Sequence, residues 1–408
     1  MSVLAPTEVN EDSAHASAAG GRLDGVSLRP PRRVLYAIDQ LQQLGGAERM
    51  LFETVKKLDR QRFLPSIVTF DLNRELPGLQ QLPAEVHFIP LRKTYDWQAV
   101  RASMSLRALL RQHKVDILHC FFETSDLWAA PIAKLCACPV IVSSRRDMGI
   151  LRTRKHAFAY PIVNRIFDRV LAVSEEVRRS VLKQEGLPEA KVETLYNGID
   201  IAEIDSLGLE YEARQSFSIP QDVPLVTLVA NVRRVKGIDV LVRAAAIVVT
   251  AFPEVKFVIA GKVLEQATMI GLLGLVSDLG VSENVKFLGA IENPYPLLAE
   301  SNIFVLPSRT EGFSNSLIQA MASGLACIAT RVGGNAEALE EGVSGFLIDS
   351  EDHQALAERL MLLLRDPQTS RRMGRRGRQA AAERFGMTAM LDRLMDIYDE
   401  LLEGCLAR

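Results

Sequence analysis

Short apolar runs, each followed by a turn and a helical period, recur along the chain from residue 34 to residue 347. Val34–Ile38, Phe63–Phe70, Glu85–Ile89, Val115–His119 and Val140–Ser144 read as strands. Arg165–Val173 leads into another that ends at Ser174, and Glu193–Tyr196 follows. The second half repeats the theme with Leu225–Ala230, Val255–Ile259, Asn284–Leu288, Ile303–Leu306 and Ala326–Thr330, and a turn and strand follow at Gly345-Phe346-Leu347. Val100–His113, Leu127–Cys136, Val240–Val249 and Gln354–Leu364 show the helical period. Strands that are apolar on both faces belong to parallel sheets covered by helices, so the class is α/β. A chain of 408 residues is too long for one ordinary core, so two such domains are expected. In sheets of this kind ligands bind beyond the carboxyl ends of the strands. That rule directs attention to the residues immediately following each run.

The net charge is −2 at pH 7, with 48% hydrophobic and 24% charged residues. This balance gives no overall attraction to nucleic acid, and no nucleic-acid recognition motif accompanies any basic stretch. No apolar run reaches the length of a membrane span, and the polar start lacks the apolar core of a signal peptide. Residues 1–30 are rich in Ser, Ala, Gly, Glu and Asp without an apolar period, which predicts a disordered leader. Cys136 and Cys138 have a spacing that suits neither common zinc pattern. These features together predict a cytoplasmic protein.

Three strand ends carry chemistry. After Val34–Ile38 comes Leu44-Gly45-Gly46-Ala47-Glu48-Arg49, a Gly-Gly turn at a helix start and a phosphate-sized concavity; alone it reads equally as a tight turn. After Leu225–Ala230 come Arg233, Arg234 and Lys236, cations placed to meet a pyrophosphate. After Ile303–Leu306 come Ser308, Thr310, Glu311 and a Gly-Phe turn, then a small-residue helix from about Asn315 to Ser323. Free N–H groups and the positive end of the helix dipole at Phe313, Ser314, Asn315 and Ser316 favour an anion.

Glu311-Gly312-Phe313, Leu317, Ala320-Met321-Ala322-x-Gly324, Thr330, Gly333-Gly334 and Glu337 together resemble the donor-site signature of glycosyltransferase family 4, the retaining enzymes of the group 1, GT-B class. The resemblance covers roughly residues 33 to 400. It implies two Rossmann-like domains facing across a cleft: an acceptor domain over 31–200, a nucleotide-sugar donor domain over 201–385, and a C-terminal helix over 386–408 that crosses back onto the first domain. It implies metal-independent transfer, with no cofactor, of a sugar from a UDP- or GDP-linked donor. Glu311 would hold the donor sugar. Arg233 and Lys236 would neutralise the leaving diphosphate, with Arg234 standing in for Arg233 under a one-residue offset, and Gly45 and Gly46 would approach that diphosphate across the cleft. The nucleobase would rest near Gly289. The family's second glutamate, facing the ribose, is here Gln319. A neutral amide forms weaker bonds to ribose hydroxyls than a carboxylate does. Two readings follow: an active enzyme that tolerates the amide, or a catalytically silent relative acting as a nucleotide-sugar-binding or scaffold subunit.

His119 ends its strand where many relatives carry His-x-His, and Phe121 fills the second place. It reads either as a catalytic group facing the reacting sugar or as a histidine hydrogen-bonded at a strand end. Residues 141–180 hold nine Lys and Arg against four Asp and Glu, interleaved with Phe158, Tyr160, Ile162 and Phe167. This segment reads either as a solvated helix face or as a surface for a lipid-linked saccharide acceptor at the inner face of a membrane. Cell-surface polysaccharide or glycolipid synthesis is the setting that the resemblance implies.

Overall fold

The computed structural model describes residues 2–4, 30–149, 154–208 and 212–407. The first sheet holds β1 (Ser2–Leu4), β2 (Arg32–Ile38), β3 (Phe63–Thr69), β4 (Val86–Phe88), β5 (Ile117–Phe121), β6 (Val140–Arg145), β7 (Arg169–Ala172) and β8 (Val192–Thr194). Its order is β1-β4-β3-β2-β5-β6-β7-β8, parallel except for β1, which adds antiparallel to β4. The second sheet holds β9 (Leu225–Val229), β10 (Lys256–Ala260), β11 (Val285–Gly289), β12 (Ile303–Leu306), β13 (Ala326–Thr330) and β14 (Gly345–Ile348), all parallel in the order β11-β10-β9-β12-β13-β14. Both sheets are Rossmann-like and reverse direction once, between β2 and β5 and between β9 and β12. A crevice opens at such a switch point, beyond the strand ends.

The expectation for the first thirty residues is corrected in part. Ser2–Leu4 form an edge strand rather than a disordered segment, and the remainder of the expected leader, 5–29, lies outside the described residues. The helix expected over Leu127–Cys136 begins as a π-turn, Ser125–Ala129, and continues as Ala130–Leu135.

The last helix, Met387–Leu406, buries Met390, Leu391, Leu394, Ile397, Tyr398 and Leu402. They pack against Val34, Tyr36 and Ile38 of β2 and Leu51 and Val55 of the helix Gly46–Lys57. A helix at the end of the chain thus completes the core of the first half. Full burial of side chains such as Ile397 and Tyr398, both 0% exposed, contributes about 1.5–3 kcal/mol each. The crossing is fixed by backbone bonds from Ile199 N–H to the Phe385 carbonyl (2.7 Å) and from Met387 N–H to the Ile199 carbonyl (2.9 Å).

Several cations of the basic segment 141–180 are paired within the protein. Arg145 is buried and donates to Asp126 (2.6 Å), Glu185 (3.1 Å) and Asn164 (3.0 Å). Arg169 pairs with Glu193, and Arg178 with Glu175 and Glu189. Tyr160 and Phe167 are core residues, whereas Phe158 and Ile162 stand exposed. Among the described residues no helix is long and apolar enough to cross a membrane.

Candidate functional site

The loops after β9 and β12 lie side by side because the two strands are neighbours at the switch point. Gly237 makes their contact close: its φ is +61°, and a Cβ there would fall 1.9 Å from the Pro307 carbonyl oxygen. Only a residue without a side chain fits. The contact brings Lys236, in the turn Arg234–Lys236, onto Glu311. Lys236 Nζ stands 2.6 Å from Glu311 Oε1, and Ser308 Oγ donates to the same oxygen at 2.7 Å. The Glu311 side chain is 10% exposed and that of Lys236 24%, so the pair is shielded yet open on one side.

Arg309, which the sequence does not distinguish from any loop cation, holds the two loops together. Its guanidinium donates to both Asp239 oxygens (2.9 and 2.8 Å), to Glu351 and to the Arg234 carbonyl (2.6 Å). Planar forked pairing of this kind fixes orientation as well as charge. Arg233 points away from Glu311, with Nε 3.5 Å from Glu265 and its side chain 41% exposed.

The helix Asn315–Ala322 starts directly after the Glu311 turn. Ser314 caps it, its Oγ accepting from Leu317 N–H. Phe313 turns its ring into the core against Tyr196 and Phe385, leaving its backbone at the turn. Asn315 Nδ2 donates to the Gly46 carbonyl at 2.9 Å, which brings the Gly45-Gly46 turn of the first half over the helix start. Asn197 Nδ2 donates to Asn315 Oδ1, and Arg146 Nη2 donates to Asn197 Oδ1 at 2.6 Å. Arg146 is half-buried, and desolvation lowers its pKa to about 10 against the pull of Glu48. Burial raises the Glu48 carboxyl above its ordinary value. Gly312 sits under the same arginine: a Cβ there would fall 2.2 Å from the Arg146 carbonyl.

A second set of bonds crosses between the halves. Glu337 accepts from the backbone N–H groups of Glu175 (2.8 Å) and Glu176 (2.7 Å) and from the Tyr196 hydroxyl (2.8 Å). Those amides open the helix Glu175–Glu185, where a carboxylate is favoured by the free N–H groups and the dipole. Ser174 Oγ donates to the Gly312 carbonyl at 2.8 Å.

Glu311, Lys236, the start at Ser314–Ser316, and Gly46 therefore converge. Gln319 lies one turn along the same helix and donates to the Tyr295 hydroxyl at 3.1 Å; burial raises that phenol to about 12. Gly289 lies at the end of β11, on the outer edge of the second sheet, with φ +73° and open space beside it.

His119 stands as a histidine hydrogen-bonded at a strand end, the second of its two sequence readings. Its imidazole is 2% exposed, with Nδ1 2.6 Å from the Tyr398 hydroxyl and Nε2 2.8 Å from Ser144 Oγ. Burial, reinforced by the charge of Arg146, pushes its pKa down to about 3. Both nitrogens are engaged, and the ring faces a small cavity it shares with Tyr36, Met50 and Met390. The same cavity is lined by Arg146, Tyr196 and Asn197.

Comparison with known proteins adds the following. Residues 44–203 match the family profile Glycosyltransferase Family 4, and residues 210–380 match Glycosyl transferases group 1. The chain is 31% identical over 310 residues to D-inositol 3-phosphate glycosyltransferase 1 of Catenulispora acidiphila, covering 71% of this chain and 73% of that one. It is 32% identical over 215 residues to N-acetyl-alpha-D-glucosaminyl L-malate synthase of Bacillus anthracis, where the match spans 53% of this chain and only 55% of the relative's length. Among solved structures, a glycosyltransferase of Rickettsia africae superposes with a TM-score of 0.80 at 18% identity, covering 91% of this chain and 99% of the other. Anabaena HepE, solved with UDP and glucose, gives 0.78 at 22% identity over 90% and 100%. At these identities the structural likeness establishes the GT-B fold alone.

Proposed function

The chain belongs to the group 1 glycosyltransferases, glycosyltransferase family 4, and on that premise we propose that it transfers a sugar, with retention and without a catalytic metal, from a nucleoside diphosphate sugar to a saccharide or lipid-linked saccharide. The observation that carries this reading is the Lys236–Glu311 pair, 2.6 Å apart, set beside a capped helix start and under the Gly45-Gly46 turn. The acceptor oxygen bonds to the anomeric carbon as the bond from that carbon to the diphosphate oxygen breaks. The acceptor proton passes to the departing phosphate oxygen, and a nucleoside diphosphate leaves. Lys236 and the amides of Phe313–Ser316 meet the negative charge that builds on the diphosphate. Arg233 swings from Glu265 to join them. Glu311 then exchanges its bond to Lys236 for the sugar's hydroxyls, and its charge balances the oxocarbenium-like centre.

The donor therefore occupies the second half, with its ribose by Gln319 and its base toward Gly289, and the acceptor enters from the first half. UDP is the first nucleotide to test, because the structural neighbour HepE was solved with UDP. Exposed Phe158 and Ile162 support an acceptor delivered from a membrane surface, and synthesis of cell-surface polysaccharide or glycolipid is the setting we assign. The test is proton NMR of the reaction with a panel of UDP- and GDP-sugars in EDTA. A product with the donor's anomeric configuration supports the proposal. Inversion, or a strict need for added divalent metal, refutes it.

A further inference from the structure

The outer part of the first sheet holds a cluster that sugar transfer does not use. Glu85 immediately precedes β4, His87 lies within it, and His113 caps the C-terminus of the helix Trp97–Gln112. One ligand atom from each lies within 4.8 Å of the other two. His87 Nε2 is 3.4 Å from Glu85 Oε2, and His113 Nδ1 is 3.8 Å from the same oxygen. The two imidazoles meet edge to face with centroids 5.0 Å apart.

His87 is the informative member. It is 1% exposed, and neither ring nitrogen has a hydrogen-bond partner among the described residues. A buried polar atom without a partner is disfavoured unless something supplies the missing bond. Glu85 and His113 are partly exposed, with side chains 45% and 32% accessible, which leaves an entry from solvent. The Arg33 guanidinium donates to the His113 carbonyl at 2.9 Å and steadies that helix end.

We propose that Glu85, His87 and His113 bind one zinc-class divalent cation, with water completing the coordination shell. Two imidazoles and a carboxylate are ligands that zinc accepts, whereas magnesium and calcium favour oxygen sets. Bonds of about 2.0–2.1 Å place tetrahedral ligand atoms roughly 3.4 Å apart, so the present separations close with small side-chain shifts. The ion ties β4, the outermost parallel strand, to the helix that leads into β5. Glu85 precedes β4 and His113 precedes β5, so the site lies toward the amino ends of the strands, away from the carboxyl ends where the donor cleft opens, and serves the first half structurally.

The full chain, stripped with EDTA and desalted, is titrated with zinc chloride, and bound metal is counted by mass spectrometry alongside the thermal midpoint. We expect one zinc per chain and a raised midpoint. The Glu85→Gln/His113→Ala double variant alters only partly exposed side chains. It should lose the ion, with affinity falling at least ~100-fold, while its metal-free midpoint and its UDP or GDP binding stay as in the wild type. His87→Ala, made separately, should abolish zinc uptake whatever its effect on stability. Absence of zinc uptake by the wild type, or wild-type zinc affinity in the double variant, overturns the proposal, as does a preference for magnesium over zinc.

Discussion

Glu337→Gln isolates one contact between the two halves. The carboxylate accepts two backbone N–H groups at 2.8 and 2.7 Å from the start of the helix Glu175–Glu185. Hydrogen bonds to a charged group contribute about 1.5–3 kcal/mol each, and a negative charge at a helix start adds about 0.3–1 kcal/mol. Glutamine keeps one oxygen acceptor but turns an N–H toward the second amide, so one charge-assisted bond is lost and the dipole contribution disappears. Glu337 is half-exposed, and solvent screening reduces the sum. We predict a weakening of about 1–2 kcal/mol, roughly 5- to 30-fold in the ratio of closed to open forms. Hydrogen exchange of the peptide containing Glu175 and Glu176 reads this directly, with circular dichroism verifying that the variant is folded. Unchanged protection of those amides would refute the claim that Glu337 holds the halves together. Tyr196→Phe, which removes the third donor (2.8 Å), should give a smaller change in the same direction.

Three further outcomes are expected. Gln319→Glu should tighten nucleotide binding about tenfold by restoring a charge-assisted bond to a ribose hydroxyl, measured by calorimetry; an unchanged Kd would place the ribose elsewhere. Gly237→Ala meets both a positive φ and the Pro307 carbonyl, so it should lower the melting temperature by a cost on the order of 1–3 kcal/mol and separate Lys236 from Glu311, abolishing nucleotide binding in chain that remains folded; retained binding would show that the loop contact is dispensable. His119, pushed down to about 3 in the folded chain, rises to about 6.5 on unfolding. The unfolded chain therefore binds a proton that the folded chain does not, and stability is lost as pH falls from about 6.5 toward 3. In His119→Asn the dependence of unfolding free energy on pH, followed by urea denaturation between about pH 6 and pH 4, should be shallower by up to about 1.4 kcal/mol per pH unit; an unchanged slope would contradict the enclosed, neutral ring.

The α/β class and the twofold repetition were legible because strands buried on both faces are apolar throughout, as in β12 and β13. The Glu311 turn was legible because its charge, its glycines and its small-residue helix are contiguous in sequence. The more distant partner of His119 was not: Tyr398 lies 279 residues away on a helix whose apolar stripe says only that it packs somewhere. Nor were the Glu337 bonds, since their donors are main-chain amides common to every residue. Arg309 resembles any loop arginine until Asp239 and Glu351 are brought to it. β1 escaped notice because its three residues precede a long polar stretch and are too few to establish a period. The network of Asp126, Arg145 and Glu185 was hidden for the opposite reason: charges that pair in the interior look in sequence like charges that face water.

The central claim is that Arg233 and Lys236 receive the diphosphate of a nucleotide sugar. Calorimetry with UDP and with GDP, in the absence of divalent metal, tests it on the wild type and on the Arg233→Ala/Lys236→Ala variant. The account predicts binding of one nucleotide by the wild type and its loss in a variant that remains folded. Equal binding by both proteins, or none by a folded wild type, would contradict it.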